Sequence, residues 1–464
     1  MRKNHLKDGF RPFLFLLFVA LATALMFACQ APEEKEEDKV TEGVDHPDWS
    51  VDDVIYEVNI RQYTPEGTFK AFEEHLPRLR QMGVDILWLM PIHPIGEKNR
   101  KGPLGSYYSV KDYLAVNPEF GDQEDFRSLV KKIHELDMYV IIDWVANHTS
   151  WDNHLIDEHP DWYQRDSLGK LVSPFDWTDV VSLDYEEEGL RDYMRNALAY
   201  WVAEENIDGY RCDVASLVPT DFWNSVRDTL EKIKPVFMLA EAELPEHHED
   251  AFDMSYGWNI HHIMNEVAQG KQNANDLHAA LLEDELRFPD HAYRMYFTSN
   301  HDENSWNGTV YERLGDGVET FAALTYVMPG MPLIYSGQEA GLDKRLEFFE
   351  KDTISWETLE LQNLYTTLNA LKHDNKALWN GQYGGEYRRV ESTDDQRAMV
   401  IYREKDDNKV LGVFNLSDTT LNNLRLKGEM HIDNYTDLFE GTDVVVDMET
   451  VFDLKPWAYK ILYK

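Results

Sequence analysis

Cysteine is almost missing from this chain of 464 residues, which has two, Cys29 and Cys212. Two thiols cannot build a disulfide framework, so an apolar core has to hold the fold. Positive charge is scarce too, with 45 Lys plus Arg against 85 Asp plus Glu and a formal net charge of −40. That balance excludes nucleic acid and anionic membrane as partners held by charge, and leaves a neutral ligand unaffected. There is no internal repeat, which excludes repeat architectures, and no low-complexity tract beyond one acidic stretch near the N-terminus. Long apolar runs are missing apart from Phe13 to Phe27, which is short for a helix that crosses a bilayer.

That run lies inside an export-signal pattern. Basic residues Arg2, Lys3, Lys7 and Arg11 precede it, and Ala28 and Cys29 follow. Next comes APEEKEEDKVTEGVDHPD, acidic and disorder-prone where a retained span would have a basic stop, so removal fits better than retention. Met26-Phe27-Ala28-Cys29 resembles a bacterial lipoprotein signal, in which the cysteine after a small residue becomes the acylated first residue. Phe27 departs from the usual small residue. The resemblance implies a signal over 1–29, a lipid on Cys29, an acidic tether over 30–48 and a body at the cell envelope, on its periplasmic or cell-surface side. A plain signal peptide cut nearby and an uncleaved anchor are the alternatives, and both still export the body. With Cys29 lipidated, Cys212 is left as a small buried apolar residue.

What the chain has in quantity is alternation of short apolar runs with amphipathic helical patterns, the signature of parallel strands joined by crossover helices. The expected strands are Val54–Ile60, Val84–Met90, Met138–Asp143, Ile207–Asp213, Val236–Glu241, Met254–Trp258, Tyr293–Thr298 and Pro332–Ser336. Helical spacing occurs between them, as in Phe69-Phe72-Leu76-Leu79 and Phe126-Leu129-Val130-Ile133. Eight such units predict an α/β fold, a closed (β/α)₈ TIM barrel over 49–374. Residues 149–185 are too long for an ordinary βα loop and predict a small inserted subdomain over the barrel mouth. Over 375–464 the helical period gives way to alternating stretches such as Arg397–Arg403, Lys409–Asn415 and Trp457–Leu462, which predict an antiparallel β domain.

The stretch IDGYRCDVA, residues 207–215, is the most informative. In an extended strand Arg211 and Asp213 share one face and Tyr210 and Cys212 the other. A guanidinium two residues from an aspartate holds it ionised and oriented, as a carboxylate nucleophile requires, although a purely structural Arg–Asp pair would look the same. Other strands also end in polar residues: Asp143, Asn147 and His148 after the third, Glu241 after the fifth, His301 and Asp302 after the seventh. Carboxyl ends of barrel strands converge on one face, where barrel enzymes keep their active sites. Three carboxylates gathered there repel one another unless one holds a proton, a cost that points to function. Aromatics, 12% of residues with 13 Trp and 24 Tyr, suit stacking on sugar rings as well as ordinary packing.

Taken in order, DWVANH at 143–148, GYRCDVA at 209–215, AEAE at 240–243 and SNHDEN at 299–304 resemble the four conserved regions of the α-amylase family, glycoside hydrolase family 13. SYYSVKDY at 106–113 is similar to the family segment with a sugar-stacking tyrosine, and PWAYKIL to the end of its β domain. The resemblance implies Asp213 as nucleophile, Glu241 as general acid/base and Asp302 as transition-state stabiliser. Arg211 would orient Asp213, His148 and His301 would bind sugar hydroxyls, and Tyr108 would stack beneath the sugar. It further implies a retaining hydrolase of α-glucans or maltodextrins, with a carboxyl separation of roughly 5 to 5.5 Å. No cofactor is required. Ser216 and Leu217 stand where many members carry a lysine and a histidine that serve an outer sugar subsite and a structural calcium, and Ser182 where calcium-binding members carry an aspartate. Asn147 is retained, but one ligand does not make a site for a cation that wants six to eight oxygens, which speaks against the usual calcium. An α-glucan transglycosylase, a cyclomaltodextrinase- or neopullulanase-like enzyme, and a non-catalytic glycan-binding lipoprotein are the other readings. The oligomeric state is left open.

Overall fold

Eight short apolar strands pair side by side in chain order and close on themselves. They are β1 (Ile55–Val58), β2 (Ile86–Leu89), β3 (Tyr139–Trp144), β4 (Gly209–Cys212), β5 (Phe237–Ala240), β6 (Met254–Tyr256), β7 (Tyr293–Phe297) and β8 (Met331–Tyr335). All pairings are parallel, and β8 closes onto β1 with Glu57 opposite Tyr335. This is the (β/α)₈ barrel the sequence predicts, seen in a computed structural model that describes residues 43–464. The signal-like segment 1–29, Cys29 and residues 30–42 of the expected tether lie outside the described residues. Among the described residues no helix is long and apolar enough to cross a membrane.

The strand period of two sorts the side chains into two cores. Ile55, Ile86, Ile141, Phe237, Met254, Met295 and Met331 fill the barrel interior, while Tyr56, Val58, Leu87, Ile142, Tyr210 and Cys212 face the surrounding helices. Two residues further along the inward rows come Glu57, Trp88, Asp143 and Arg211. The interior therefore changes from an apolar floor to a polar mouth within one strand length. Strand β6 ends at Tyr256, short of the expected Trp258, because the helix Trp258–Ala268 begins there. Gly257 makes that corner where a Cβ would meet the Tyr296 ring at 2.8 Å.

After β3 the chain makes an excursion closed at its base by two antiparallel strands, His148–Ser150 and Val180–Ser182, with His148 opposite Ser182. At the other end of the molecule, Ala398–Lys405, Asn408–Asn415 and Tyr459–Tyr463 are neighbours in an antiparallel sheet. One face of that sheet, with Met399, Ile401, Val410, Phe414 and Ile461, joins the core that surrounds the barrel. The other face, with Val400, Tyr402, Leu411, Val413 and Leu462, forms a small core of its own. Arg403 is buried at the join and donates to the carbonyls of Met328 and Gly385, both at 3.0 Å.

The end of the stretch expected as an acidic tether belongs to the folded body. Residues 43–48 are packed on the base of the barrel, and His46 is only 5% exposed. Its Nδ1 lies 2.8 Å from Asp253 Oδ1, its Nε2 donates to the His291 carbonyl at 2.9 Å, and its ring stacks on Tyr293 at 4.2 Å. Arg227 reaches the Asp45 carbonyl at 2.8 Å. Composition alone reads this stretch as solvated, because it cannot show that one imidazole meets a buried carboxylate far along the chain.

Candidate active site

At the carboxyl ends of the strands lies a cavity of about 550 Å³, and Tyr108, His148, Asp213, Glu241, His301 and Asp302 all line it. Six side chains from five separate parts of the sequence are thus brought together. Arg211 lies beneath them with no exposed surface.

Arg211 is the hub. Its Nη1 donates to Asp143 Oδ1 at 2.9 Å and to Asp213 Oδ1 at 3.0 Å, and its Nη2 lies 2.9 Å from Glu241 Oε2. Nη2 is not aligned to donate a hydrogen bond, whereas Nη1 is. Its Nε reaches the Tyr256 hydroxyl at 3.3 Å, and its guanidinium carbon lies 5.1 Å from the centre of the Trp88 ring. Glu241 Oε2 also accepts from the Val214 N–H at 2.8 Å. Burial pushes Asp213 and Glu241 upward, with Arg211 opposing; Glu241 and Asp143 add to the rise at Asp213, and Asp302 to that at Glu241. The pair therefore keeps a proton to higher pH than either carboxyl would alone.

The two histidines carry different charges. Burial lowers His148 to about 4, and the Asn147 amide lies 3.1 Å from its Nδ1, so the ring is neutral with Nε2–H left for a ligand. Burial lowers His301 too, but the carboxylates of Asp302 and Glu57 outweigh it and raise the ring to about 9. His301 Nε2 lies 2.7 Å from the Tyr108 hydroxyl and 3.3 Å from Asp302 Oδ2. Tyr108 presents its ring to the cavity, while its neighbour Tyr107 is buried under Arg61 at 4.1 Å.

The mouth is walled by residues that the motifs do not announce. Trp177 comes from the excursion after β3, and Trp306 and Phe348 from loops after β7 and β8, with 5.2 Å between the last two rings. Lys101 pairs with Asp179 across the rim at 3.0 Å. Glu57, Trp88 and Tyr256 were also missed, although a single carboxylate inside the apolar run VIYEVNI was a visible signal for Glu57.

At the positions that bear on a structural calcium, Asn147 turns its Nδ2 to His148 Nδ1, Ser182 sits in the short ladder opposite His148, and Leu217, 44% exposed, has no ligating atom in its side chain. Among the described residues no group of three His, Cys, Asp or Glu is arranged to hold a metal ion, and calcium wants six to eight oxygens.

Comparison with known proteins adds an independent line. The family model for the alpha amylase catalytic domain matches residues 38–382. A noncanonic maltogenic alpha-amylase from Thermotoga neapolitana has a solved structure that overlays with a TM-score of 0.81 at 30% identity, covering 89% of this chain and 98% of that one. An alpha-amylase from Lactobacillus plantarum gives 0.79 at 29% identity, over 89% and 99%. The alpha-amylase MalA of Haloarcula japonica is 28% identical over 350 residues, 72% of this chain, and the match spans 50% of that relative's length.

Proposed function

The chain belongs to the alpha-amylase family of glycoside hydrolases, and on that premise we propose that it cleaves α-glucans or maltodextrins with retention, through a covalent glycosyl-enzyme. The observation that carries this reading is the single guanidinium of Arg211 between Asp213 and Glu241, at the bottom of a cavity that His301 and Asp302 also line. Asp213 takes the guanidinium's hydrogen bond and Glu241 does not, so Asp213 is the anion and the proton of the pair resides on Glu241. Asp213 then attacks the anomeric carbon while Glu241 gives its proton to the departing glycosidic oxygen. The carbon–oxygen bond to the leaving sugar breaks as the bond to Asp213 forms. In the second half a water passes a proton to Glu241 and displaces Asp213, which restores both carboxyl groups.

Asp302 spreads negative charge against the oxocarbenium-like transition state. His301 as a charged donor and His148 as a neutral one hold sugar hydroxyls, and Tyr108 lies under the ring. No metal or organic cofactor enters either half. A neutral polymer also suits a chain with a net charge of −40, because no substrate charge is repelled. Transfer to a sugar hydroxyl instead of water is the second reading, favoured by the aromatic wall of Trp177, Trp306 and Phe348, on which an acceptor sugar can stack. For its place in the cell, our reading is an exported body lipid-anchored through Cys29 at the envelope.

The test is reducing-sugar release from maltodextrin by the wild type and by Glu241→Gln, with product lengths and the anomeric form of fresh product read by NMR. Release by the wild type with α product, and a loss of about 10²- to 10⁴-fold in the variant, supports the assignment. Products longer than the substrate identify transfer. Equal release by both proteins, or β product, overturns it.

A further inference from the structure

Glu57 is a carboxylate without exposed surface in a strand whose other members are Ile55, Tyr56 and Val58. Its Oε1 lies 2.5 Å from His301 Nδ1, and its Oε2 has no hydrogen-bond partner. A buried carboxylate with one orphaned oxygen costs free energy that an apolar side chain would not, so packing does not explain it.

The directions of the neighbouring hydrogen bonds say what Glu57 does. Asp143 accepts from Arg211 Nη1 at 2.9 Å and from Trp88 Nε1 at 3.2 Å, and the Tyr108 hydroxyl donates its one proton to Asp143 Oδ2 at 3.0 Å. The phenol oxygen is then the acceptor towards His301 Nε2, which has to carry a proton. Nδ1 carries the other and gives it to Glu57. We propose that Glu57 is a positioning residue of this site: by accepting the Nδ1 proton it holds His301 as an imidazolium whose Nε2–H is aimed at Tyr108 and Asp302, where a sugar hydroxyl takes it.

This role rests on the glycosidase reading given above, and it is specific to Glu57 among the groups around the ring. Tyr108 and Trp88 flank His301 from the β2 side, and Asp302 adjoins it. Arg211 on β4 is a second cation and opposes the charge, while Asp302 and Glu57 favour it. Glu241, directly after β5, and Asp143 on β3 are further carboxyls facing the ring, and Tyr335 on β8 faces Glu57. Asp302 faces the cavity and is open to substrate, so Glu57 alone holds the ring from behind.

Glu57→Gln preserves shape and the acceptor at Nδ1 but removes the charge. A histidine-labelled wild type and Glu57→Gln, with the His301 signals assigned through His301→Asn, are titrated by NMR, and kcat/KM on maltodextrin is followed against pH. His301 is expected to lose its proton at a pH lower by at least about one unit in the variant, within the range that an adjacent opposite charge produces. The alkaline limb of kcat/KM is expected to move with it. Glu57→Asp is expected to shift both by less, and serves in its place if Glu57→Gln does not fold. An unchanged His301 titration overturns the proposal, as does a shifted titration with an unmoved alkaline limb. If the wild type releases no sugar at any pH, the reaction assigned above is overturned, while the titration still decides whether Glu57 charges His301.

Discussion

The Val214 N–H donates to Glu241 Oε2 at 2.8 Å, so the residue directly after one carboxylate of the site holds the other. Val214 does this from φ 38° and ψ 47°, a left-handed conformation that β-branched residues rarely adopt. Such strain costs about 1–3 kcal/mol and persists where the surroundings impose it. Val214→Gly keeps the N–H and relieves the strain, so it is expected to melt at a higher temperature and hydrolyse maltodextrin at close to the wild-type rate. Val214→Pro removes the donor and, with φ fixed at about −65°, cannot adopt the left-handed conformation either, so it is expected to melt lower than the wild type and to lose kcat by more than the roughly 5-fold that one neutral hydrogen bond of about 1 kcal/mol is worth. Scanning calorimetry and steady-state kinetics on the two variants check this.

Trp306 is 52% exposed at the mouth and packs on Phe348. It offers a face to a sugar beyond the one being cleaved. Trp306→Ala is expected to raise KM for maltoheptaose about 2- to 10-fold, as an aromatic contact of 0.5–1.5 kcal/mol implies, and to change KM for maltotriose less. Equal effects on both lengths would contradict a role at the outer part of the cleft.

His93 has no exposed surface, lies edge-on to Trp144 and Trp201, and leaves Nε2 without a partner. Burial lowers it to about 4, against roughly 6.5 in an unfolded chain. Between those values the unfolded chain binds the extra proton and the folded one does not, so this group's stabilisation is complete above pH 6.5 and is lost as pH falls towards 4. The slope is at most about 1.4 kcal/mol per pH unit for one group. The raised carboxyls of Asp213 and Glu241 have the opposite sign, so the decisive measurement is a difference. His93→Gln is expected to lose less stability than the wild type between pH 7 and 5, measured by urea unfolding.

His46→Ala tests the packed segment at the barrel base. It removes the contact to Asp253 and the bond to the His291 carbonyl. The expected loss is about 1.5–3 kcal/mol of stability, as for a hydrogen bond to a charged group. Hydrolysis well below the melting temperature is expected to be unchanged, because Asp253 and His291 precede β6 and β7 and the cavity lies at the strands' other ends. Thermal unfolding and kcat on the same preparation separate the two effects.

The barrel was legible because its strands alternate with amphipathic helices, and Asp213, Glu241 and Asp302 because motifs of known order carry them. Gathering those three needed only the rule that strand ends converge. Glu57 escaped notice although its strand was expected, since a lone carboxylate in an apolar run gives no hint of the histidine it meets 244 positions later. Trp306 and Phe348 are loop residues whose place depends on tertiary geometry, which periodicity does not carry. Val214 shows no signal in sequence, because valine is the residue least expected to adopt its conformation. The packed stretch 43–48 reads as solvated by composition and is placed by the buried Asp253.

The sheet that follows the barrel shares its inner face with the barrel's own core, and Arg403 ties its strand Ala398–Lys405 to the turn after the helix Val318–Val327. A cut after Asp374 would thus tear open a hydrophobic seam instead of parting two independent bodies. Melting of this chain should pass through one transition across both halves, and an excised barrel would be a sticky fragment, not a smaller enzyme.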